Sequence, residues 1–294
     1  MVNKLKSIKT IAINSTYDDE RVLEIAKQCN EVLISQGVKV LFTKNLSKLQ
    51  ETQPIKCASE NKILKEADLL ISIGGDGTML SSARKYGSKG LPILGINLGN
   101  LGFLTDIAPE DITTGLTEVL SGNYIKDERI FLQASSSKKG DQYLALNEIV
   151  IHSGALAQLI EYELYVNDSY VYTQRADGII VSTPTGSTAY SLSGGGPIVH
   201  PSVRAITILP MFPHSLSSSS LLVDETSSIA IKITKCKGKA SLTFDSHDSI
   251  NINKGDSVIV SMNKTKLTLI HPIGHDFFSG CRNKLGWSTS ITKV

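Results

Sequence analysis

Short apolar runs alternate with helical patterns over roughly the first 125 residues. Ile8–Asn14 reads as a buried strand. Across Asp18–Gln36 the residues Val22, Ile25, Ala26, Cys29 and Val32 recur at helical spacing, and Gly37 supplies a stop. Val38–Phe42, Asp68–Ile73 and Leu91–Asn97 read as further strands, the second apolar enough to be buried on both faces. Helical patterns fall at Asn61–Glu66, Thr78–Tyr86 and Pro109–Leu120. Strands that alternate with helices imply right-handed crossovers and a parallel sheet covered on both faces.

From about Ile130 the pattern changes to short β-rich segments. These are Phe131–Ser137, Tyr143–His152, Ile160–Val166, Ser169–Thr173, Gly178–Val181, Ala205–Leu209, Ser228–Thr234, Ala240–Phe244, Ser257–Met262 and Lys266–Ile270. Turn formers punctuate them at Lys139-Gly140, Asn167-Asp168, Lys237-Gly238 and Lys254-Gly255, a spacing suited to an antiparallel sandwich. The expected organisation is a Rossmann-like α/β domain over residues 1–128 and a β-rich domain over 129–275. A C-terminal segment, 276–294, carries Trp287 and returns to pack on the first domain.

Length and composition agree with two folded domains. The chain has 294 residues, 41% hydrophobic and 20% charged, which excludes intrinsic disorder, collagen and a disulfide miniprotein. A net charge of +2 and only a few arginines among the basic residues give no case for a nucleic-acid or membrane-surface partner. The thiols Cys29, Cys57, Cys236 and Cys281 are scattered without a C-x-x-C pair, as reduced cysteines would be, and no signal peptide or membrane-crossing run is visible. A cytoplasmic location is expected.

The first chemistry lies at Ile73-Gly74-Gly75-Asp76-Gly77-Thr78, where a buried parallel strand hands over to a helix. Ligands of open α/β sheets bind at this edge. Glycines there let backbone N–H groups approach an anion beside the positive end of the helix. A carboxylate between those glycines repels a phosphate unless it has work, so Asp76 is a candidate either for holding a cation or for taking a proton from an attacking hydroxyl. No Walker loop occurs, and the third glycine of a dinucleotide fingerprint is missing.

The loop resembles the G-G-D-G motif of the superfamily that contains NAD kinases, diacylglycerol and sphingosine kinases and 6-phosphofructokinases. Four more stretches resemble the NAD kinases in particular, in the family's own order. They are Gly99-Asn100-Leu101-Gly102-Phe103-Leu104-Thr105, Asn147-Glu148, the run from Gln174 to Ser193, and Pro210-Met211-Phe212-Pro213-His214-Ser215-Leu216-Ser217. The chain is thus similar to the bacterial-type NAD kinases over most of its length. The resemblance implies transfer of the γ-phosphoryl group of ATP to the 2′-hydroxyl of the adenosine ribose of NAD, with Mg²⁺ or Mn²⁺ required and a homodimer or homotetramer as the assembly. It assigns catalysis to Asp76, phosphate cradling to Gly77, and dinucleotide contacts to Asn147 and Glu148. It further assigns Asp177 to the nicotinamide half, Arg175 to a neighbouring polar contact, Thr188, Ala189, Tyr190, Ser191, Leu192 and Ser193 to the stretch lining NAD, and Phe103 to the adenine side.

Leu98, Ser219 and His247 depart from the family's usual residues and bear on substrate affinity rather than on Asp76. His271 and His275 have i, i+4 spacing, but Pro272 and Gly274 argue against a helical zinc site, and no protein metal ligand is expected. Ser187 lacks the trailing glycine of a nucleophile elbow. A lipid kinase with the same glycine loop and a non-catalytic NAD(P)-binding regulator are the competing readings.

Overall fold

The computed structural model describes residues 8–51, 55–99, 102–136, 139–154, 158–215 and 218–287. It divides into two compact units, one made of Met1–Glu128 with Leu267–Val294, the other of Arg129–Lys266. Asn100, Leu101, Ser137, Leu216 and Ser217 of the segments singled out in the sequence lie outside the described residues, as do the two chain ends.

The first unit begins with β1 (Thr10–Asn14), α1 (Glu20–Ser35), β2 (Lys39–Thr43) and the two-residue β3 (Cys57–Ala58). Then come α2 (Glu60–Glu66), β4 (Leu69–Ile73), α3 (Asp76–Lys85), β5 (Ile93–Ile96) and α4 (Ile112–Leu120). Asp19 caps α1, its carboxylate accepting from the Val22 amide. The apolar face of α1 buries Val22, Ile25, Ala26, Cys29 and Leu33. β1 and β4 are buried at every residue, which explains their unbroken apolar sequences. The strands run parallel in the order β3-β2-β1-β4-β5. The chain runs from β1 outward to β3 on one side and crosses back to β4 on the other side of β1, so the strand order reverses between β1 and β4, the place where such sheets open a crevice at the carboxyl ends of their strands.

The strand β6 (Tyr124–Ser136) carries the chain into the second unit. There β7 (Lys139–Ala145), β8 (Glu148–His152), β9 (Ile160–Val166), β10 (Ser169–Ala176) and β11 (Gly178–Ser182) follow. A 3₁₀ turn at Thr185–Thr188 leads into the short α5 (Tyr190–Ser193). Next are β12 (Ala205–Met211), β13 (Leu221–Asp224), β14 (Ile229–Lys235), β15 (Ala240–Phe244) and β16 (Asp248–Ile252). One antiparallel sheet runs β13-β12-β11-β8-β15-β16. Its Ile149, Ile151, Ile179, Val181, Ile208, Leu242 and Phe244 share a core with Ile160, Tyr162, Leu164, Ile229 and Ile231 of the facing β9 and β14. The expected sandwich is therefore present. Asn167 and Asp168 take positive φ at the β9–β10 hairpin, and Gly238 and Gly255 do so in two further turns. Lys139 and Gly140, expected as a turn, instead begin β7.

The last strand, β17 (Ser257–Pro272), is continuous where two separate strands were expected. Its first part pairs with β14 in the second unit. Leu269 and Ile270 lie parallel to Ile93 and Leu94 of β5, so the second unit ends at Lys266 rather than near residue 275. Leu267, Leu269, Ile270 and His271 are all buried beyond the polar run Asn263–Lys266. The helix α6 (Phe277–Leu285) closes the described chain, capped by the Asp276 carboxylate on the Phe278 and Ser279 amides.

Phe244 is 1% exposed and stacks on Tyr143 with ring centroids 4.7 Å apart. Phe244→Ala is expected to lower the unfolding free energy by about 3–5 kcal/mol through lost contacts and an incompletely filled cavity. Urea denaturation checks this directly.

Candidate active site

The carboxyl end of β4 is rigidly built. Asn14 Nδ2 donates to Ser82 Oγ at 2.9 Å, and Ser72 Oγ lies 2.8 Å from the same hydroxyl, so β1, β4 and α3 are pinned together by a buried polar cluster. Gly74 has φ 149°, and a Cβ there would meet Thr78 Oγ1 at 2.4 Å, so only glycine fits. Gly75 and Gly77 have open space where a Cβ would point. Helix α3 starts at Asp76, two residues earlier than the sequence pattern indicated. Asp76 and Gly77 thereby belong to the first helical turn, whose amides have no partner within the helix.

Asp76 is held from above by the segment after β5. Its Oδ2 accepts from the Phe103 amide and its Oδ1 from the Leu104 amide, both at 3.1 Å. Gly102 makes this possible, because a Cβ there would stand 2.2 Å from Asp76 Oδ1. The segment is shaped in turn by buried Asn97, whose Nδ2 donates to Thr105 Oγ1 at 2.9 Å and whose Oδ1 accepts from the Gly99 amide at 2.6 Å. Lys284 of α6 reaches Asp76 Oδ2 at 3.0 Å, with its Nζ 5.0 Å from the Phe103 ring centre. Gly102 and Lys284 were not singled out from sequence as site residues. Gly102 lay inside a quoted motif, whereas nothing local marks Lys284 among the chain's lysines. Phe103 lies against Phe277 and lines a cavity of about 280 Å³ bounded by α6 and the turn before it.

The second unit places most of the remaining candidates along the central strands of its six-stranded sheet, with Asn147 and Glu148 at one end of β8 and Asp177 beside the other. Asp245, held at φ 47°, accepts from the amides of Leu146 at 3.0 Å, Asn147 at 2.7 Å and Glu148 at 3.3 Å. The Asn147 carbonyl accepts from the Thr183 amide at 2.9 Å, and a Cβ on Gly186 would stand 2.2 Å from that oxygen. Thr183-Pro184-Thr185-Gly186 therefore folds directly over the Asn147-Glu148 pair. Glu148 is 2% exposed, and its Oε2 has no hydrogen-bond partner. Burial first, and the nearby Asp245 charge second, push its carboxyl up to about 8, although it accepts from the Tyr190 amide.

Asp177 and Tyr190 line a cleft of about 530 Å³ with Val150, His152, Phe212 and Thr243. Tyr190 and Ser193 also line an adjoining cleft of about 590 Å³ that contains Ser219. Ser191 is buried with an unpartnered hydroxyl, while Thr188, Ala189 and Leu192 are half-buried around it. Arg175 is exposed on β10 beside Glu161 and is not among the residues lining either cleft. His247 is exposed in the β15–β16 turn, and Leu98 packs against the first unit's core. Phe212 was missed as an individual residue. It is 75% exposed at φ 43°, a conformation that costs a bulky side chain about 1–3 kcal/mol and holds its ring beside both clefts.

The chain is similar to known proteins over most of its length. The family model for the ATP-NAD kinase N-terminal domain matches residues 9–124, and that for the ATP-NAD kinase C-terminal domain matches residues 146–272. The NAD kinase of Teredinibacter turnerae is 40% identical over 289 residues, covering 97% of this chain and 99% of its own. That of Saccharophagus degradans is 42% identical over 282 residues, covering 94% of this chain and 93% of its own. Among solved structures, yeast NADH kinase complexed with NADH superposes with a TM-score of 0.88 at 25% identity, covering 98% of this chain and 91% of that one. An NAD kinase from Archaeoglobus fulgidus in complex with ATP gives a TM-score of 0.72 at 28% identity, covering 94% and 97%.

The raised Glu148 carboxyl has a consequence for stability. A carboxyl that holds its proton more tightly when folded stabilises the fold fully below its ordinary value of 4.5, and the benefit is lost as pH climbs through about 8. Glu148→Gln, which keeps an acceptor for the Tyr190 amide, should match the parent chain near pH 4. At pH 9 it should exceed the parent in unfolding free energy by on the order of 2–4 kcal/mol, read from denaturant titrations at the two pH values.

Proposed function

The chain belongs to the ATP-NAD kinase family, and from that premise we infer how its own residues carry the family's reaction. It phosphorylates NAD to NADP. ATP is read as the donor, and the 2′-hydroxyl of the adenosine ribose as the acceptor. The observation that carries this reading is the Asp76 carboxylate, fixed at the carboxyl end of β4 by two backbone amides and one ammonium.

A ribose hydroxyl is a weak nucleophile. Asp76 orients it toward the transferred phosphorus and takes its proton as the new O–P bond forms and the bond to the leaving ADP oxygen breaks. In a loose transition state such positioning and charge neutralisation dominate. Lys284 sits where it neutralises Asp76 before substrate arrives and lies close enough to offer its charge to phosphate oxygens afterwards. The amides of Asp76 and Gly77 at the start of α3 face the crevice and suit phosphate groups.

In the second unit, the unpartnered Glu148 Oε2 and Ser191 hydroxyl are buried polar atoms that a ligand's hydroxyl or amino group would satisfy. Asp177, Tyr190 and Ser193, which line the two clefts, are read together with Asn147, Thr188, Ala189 and Leu192 as the rest of the dinucleotide surface, with Tyr190 and Phe212 as rings on which flat groups pack. Arg175 contributes at its margin. The Mg²⁺ or Mn²⁺ that accompanies ATP finds no all-oxygen cage here: both Asp76 oxygens already accept hydrogen bonds, and the one cluster of three ligating side chains among the described residues contains two imidazoles. ATP phosphates and water are the better ligands for such an ion. A cytoplasmic enzyme fits the four free thiols, and a homodimer or homotetramer is the family's assembly.

Purified protein supplied with NAD, ATP and Mg²⁺ should form NADP, and Asp76→Asn should lose about 10²–10⁴-fold in kcat while NAD affinity stays within a few-fold. NAD binding without turnover in the parent chain would point instead to a regulator. Gly102→Ala pushes a methyl into the Asp76 carboxylate and should cost about 10²-fold in kcat without unfolding the protein. Steady-state kinetics with a melting curve separates these effects.

A further inference from the structure

The turn between β17 and α6 gathers side chains that the phosphoryl-transfer reading does not use. His271 ends the apolar stretch of β17 and is 1% exposed, and Pro272 and Gly274 (φ 103°) bend the chain so that His275 returns over it. The two imidazoles stack with centroids 3.9 Å apart and planes 14° from parallel. Both present Nδ1 to one carboxylate, Asp106, which hydrogen-bonds His271 through Oδ2 and His275 through Oδ1, the latter at 2.8 Å. The far side of His271 also meets an acid, with Nε2 3.5 Å from Asp127 Oδ2. The i, i+4 pair thus converges through a turn, not a helix, and so escapes the objection that proline and glycine raise from sequence.

We propose that Asp106, His271 and His275 form a binding site for a borderline divalent metal ion of the Zn²⁺ class. One ligand atom from each lies within 4.8 Å of the others. Two imidazole nitrogens and one carboxylate oxygen are a donor set for zinc and its neighbours rather than for Mg²⁺, which prefers oxygen. Asp127 supplies the outer carboxylate that metal-binding histidines need: it stands 3.5 Å from Nε2, which has no hydrogen-bond partner in this structure, and closing that gap would let it accept the Nε2 proton and leave Nδ1 as the ligating atom. On binding, the Nδ1–H···O contacts give way to metal–nitrogen and metal–oxygen bonds, and the displaced protons pass to solvent. Four-coordinate zinc spaces its ligand atoms by about 3.3 Å, so binding opens the His275–Asp106 contact by about half an ångström, opens the shorter His271–Asp106 contact further, and tilts the near-parallel rings until their Nδ1 lone pairs converge. Asp106 and His275 also line the 280 Å³ cavity, from which water completes the fourth position.

Such an ion would act as a staple close to Asp76. Asp106 follows the Phe103-Leu104 amides that grip the catalytic carboxylate, and His275 precedes the Asp276 cap of the helix that carries Lys284. Ligation would join these two segments and stiffen both supports of Asp76. The site is independent of the NAD kinase reading, since metal binding is measured without turnover.

The test uses the full-length chain, stripped of metal, titrated with Zn²⁺ against a chromophoric chelator and, separately, with Co²⁺ by visible absorbance. The parent chain should take up one equivalent at micromolar or lower free Zn²⁺, give the intense bands of four-coordinate Co²⁺, and melt at higher temperature with Zn²⁺ but not with Mg²⁺. His275→Gln, at the less buried ligand, should keep the metal-free melting temperature within a few degrees and weaken Zn²⁺ binding at least 100-fold. Asp127→Asn should weaken it about 10–100-fold while leaving all three ligands in place. Undiminished Zn²⁺ binding in His275→Gln, binding abolished by blocking Cys57 and Cys236, or a parent chain that takes up no equivalent at 100 micromolar free Zn²⁺ would each overturn the proposal.

Discussion

The grip on the Asp76 carboxylate is the constraint around which the first unit is arranged. A carboxylate beside a phosphate site is unfavourable unless its charge is managed and its oxygens are aimed. Here the management is distributed. The Phe103 and Leu104 amides satisfy both oxygens, Lys284 supplies the counter-charge, and the first turn of α3 lends its dipole. Each contributor depends on another part of the chain. The amides are in place because Asn97 and Thr105 shape their segment and because Gly102 has no side chain to obstruct the acid. Helix α3 is aimed by the Asn14–Ser82–Ser72 cluster beneath it. The lysine arrives on α6, which starts only because Asp276 caps it.

The second unit uses a similar device with the roles reversed. Asp245 is the acid that does the gripping, and the backbone of Leu146, Asn147 and Glu148 is what it holds. Three amides on one carboxylate provide charge-assisted bonds strong enough to keep Asp245 and Ser246 at positive φ. The result is a backbone corner that drives Glu148 inward, where its charged form is disfavoured and one oxygen is left without a donor. A buried acceptor left in that condition is costly in the empty protein, and a bound hydroxyl or amino group removes the cost. Binding energy is thereby concentrated on an atom the ligand must reach, which favours ligands with a hydrogen-bonding group at that place over ligands without one.

Legibility in the sequence follows the range of the interactions. The parallel strands were legible because burial on both faces forces unbroken apolar runs, as in Leu69–Ile73, and the turns because Asn167-Asp168 and Gly255 mark positive φ locally. Asp76 stood out because a charge between glycines at a strand end demands a chemical reason. What sequence patterns did not disclose depends on contacts far apart along the chain. The Lys284–Asp76 pair spans 208 residues and the Asp245 grip nearly 100, and neither lysine nor aspartate carries a local mark of its partner. The continuity of β17 was hidden for a related reason. Asn263 to Lys266 is polar enough to read as a loop, yet Asn263 Nδ2 donates to Gln133 Oε1 at 2.7 Å, and a neighbouring strand satisfies what looks exposed.

The same reasoning explains why His271 and His275 were set aside from sequence and return in the structure. A pattern argument tests whether spacing suits one regular element, and Pro272-Ile273-Gly274 does exclude a helix. It says nothing about a tight turn, where i and i+4 residues also meet, or about a third residue 165 positions away that both rings address. Two stacked imidazoles cannot both carry full charge without repelling one another, and a single carboxylate serves two ring nitrogens only if each nitrogen presents a proton or shares a cation with it. With Asp127 on the far nitrogen of His271, the arrangement holds acceptors on both sides of one ring. Two Nδ1–H groups already occupy the two Asp106 oxygens separately, and a single divalent ion would replace both hydrogen bonds by joining Asp106, His271 and His275 at one point.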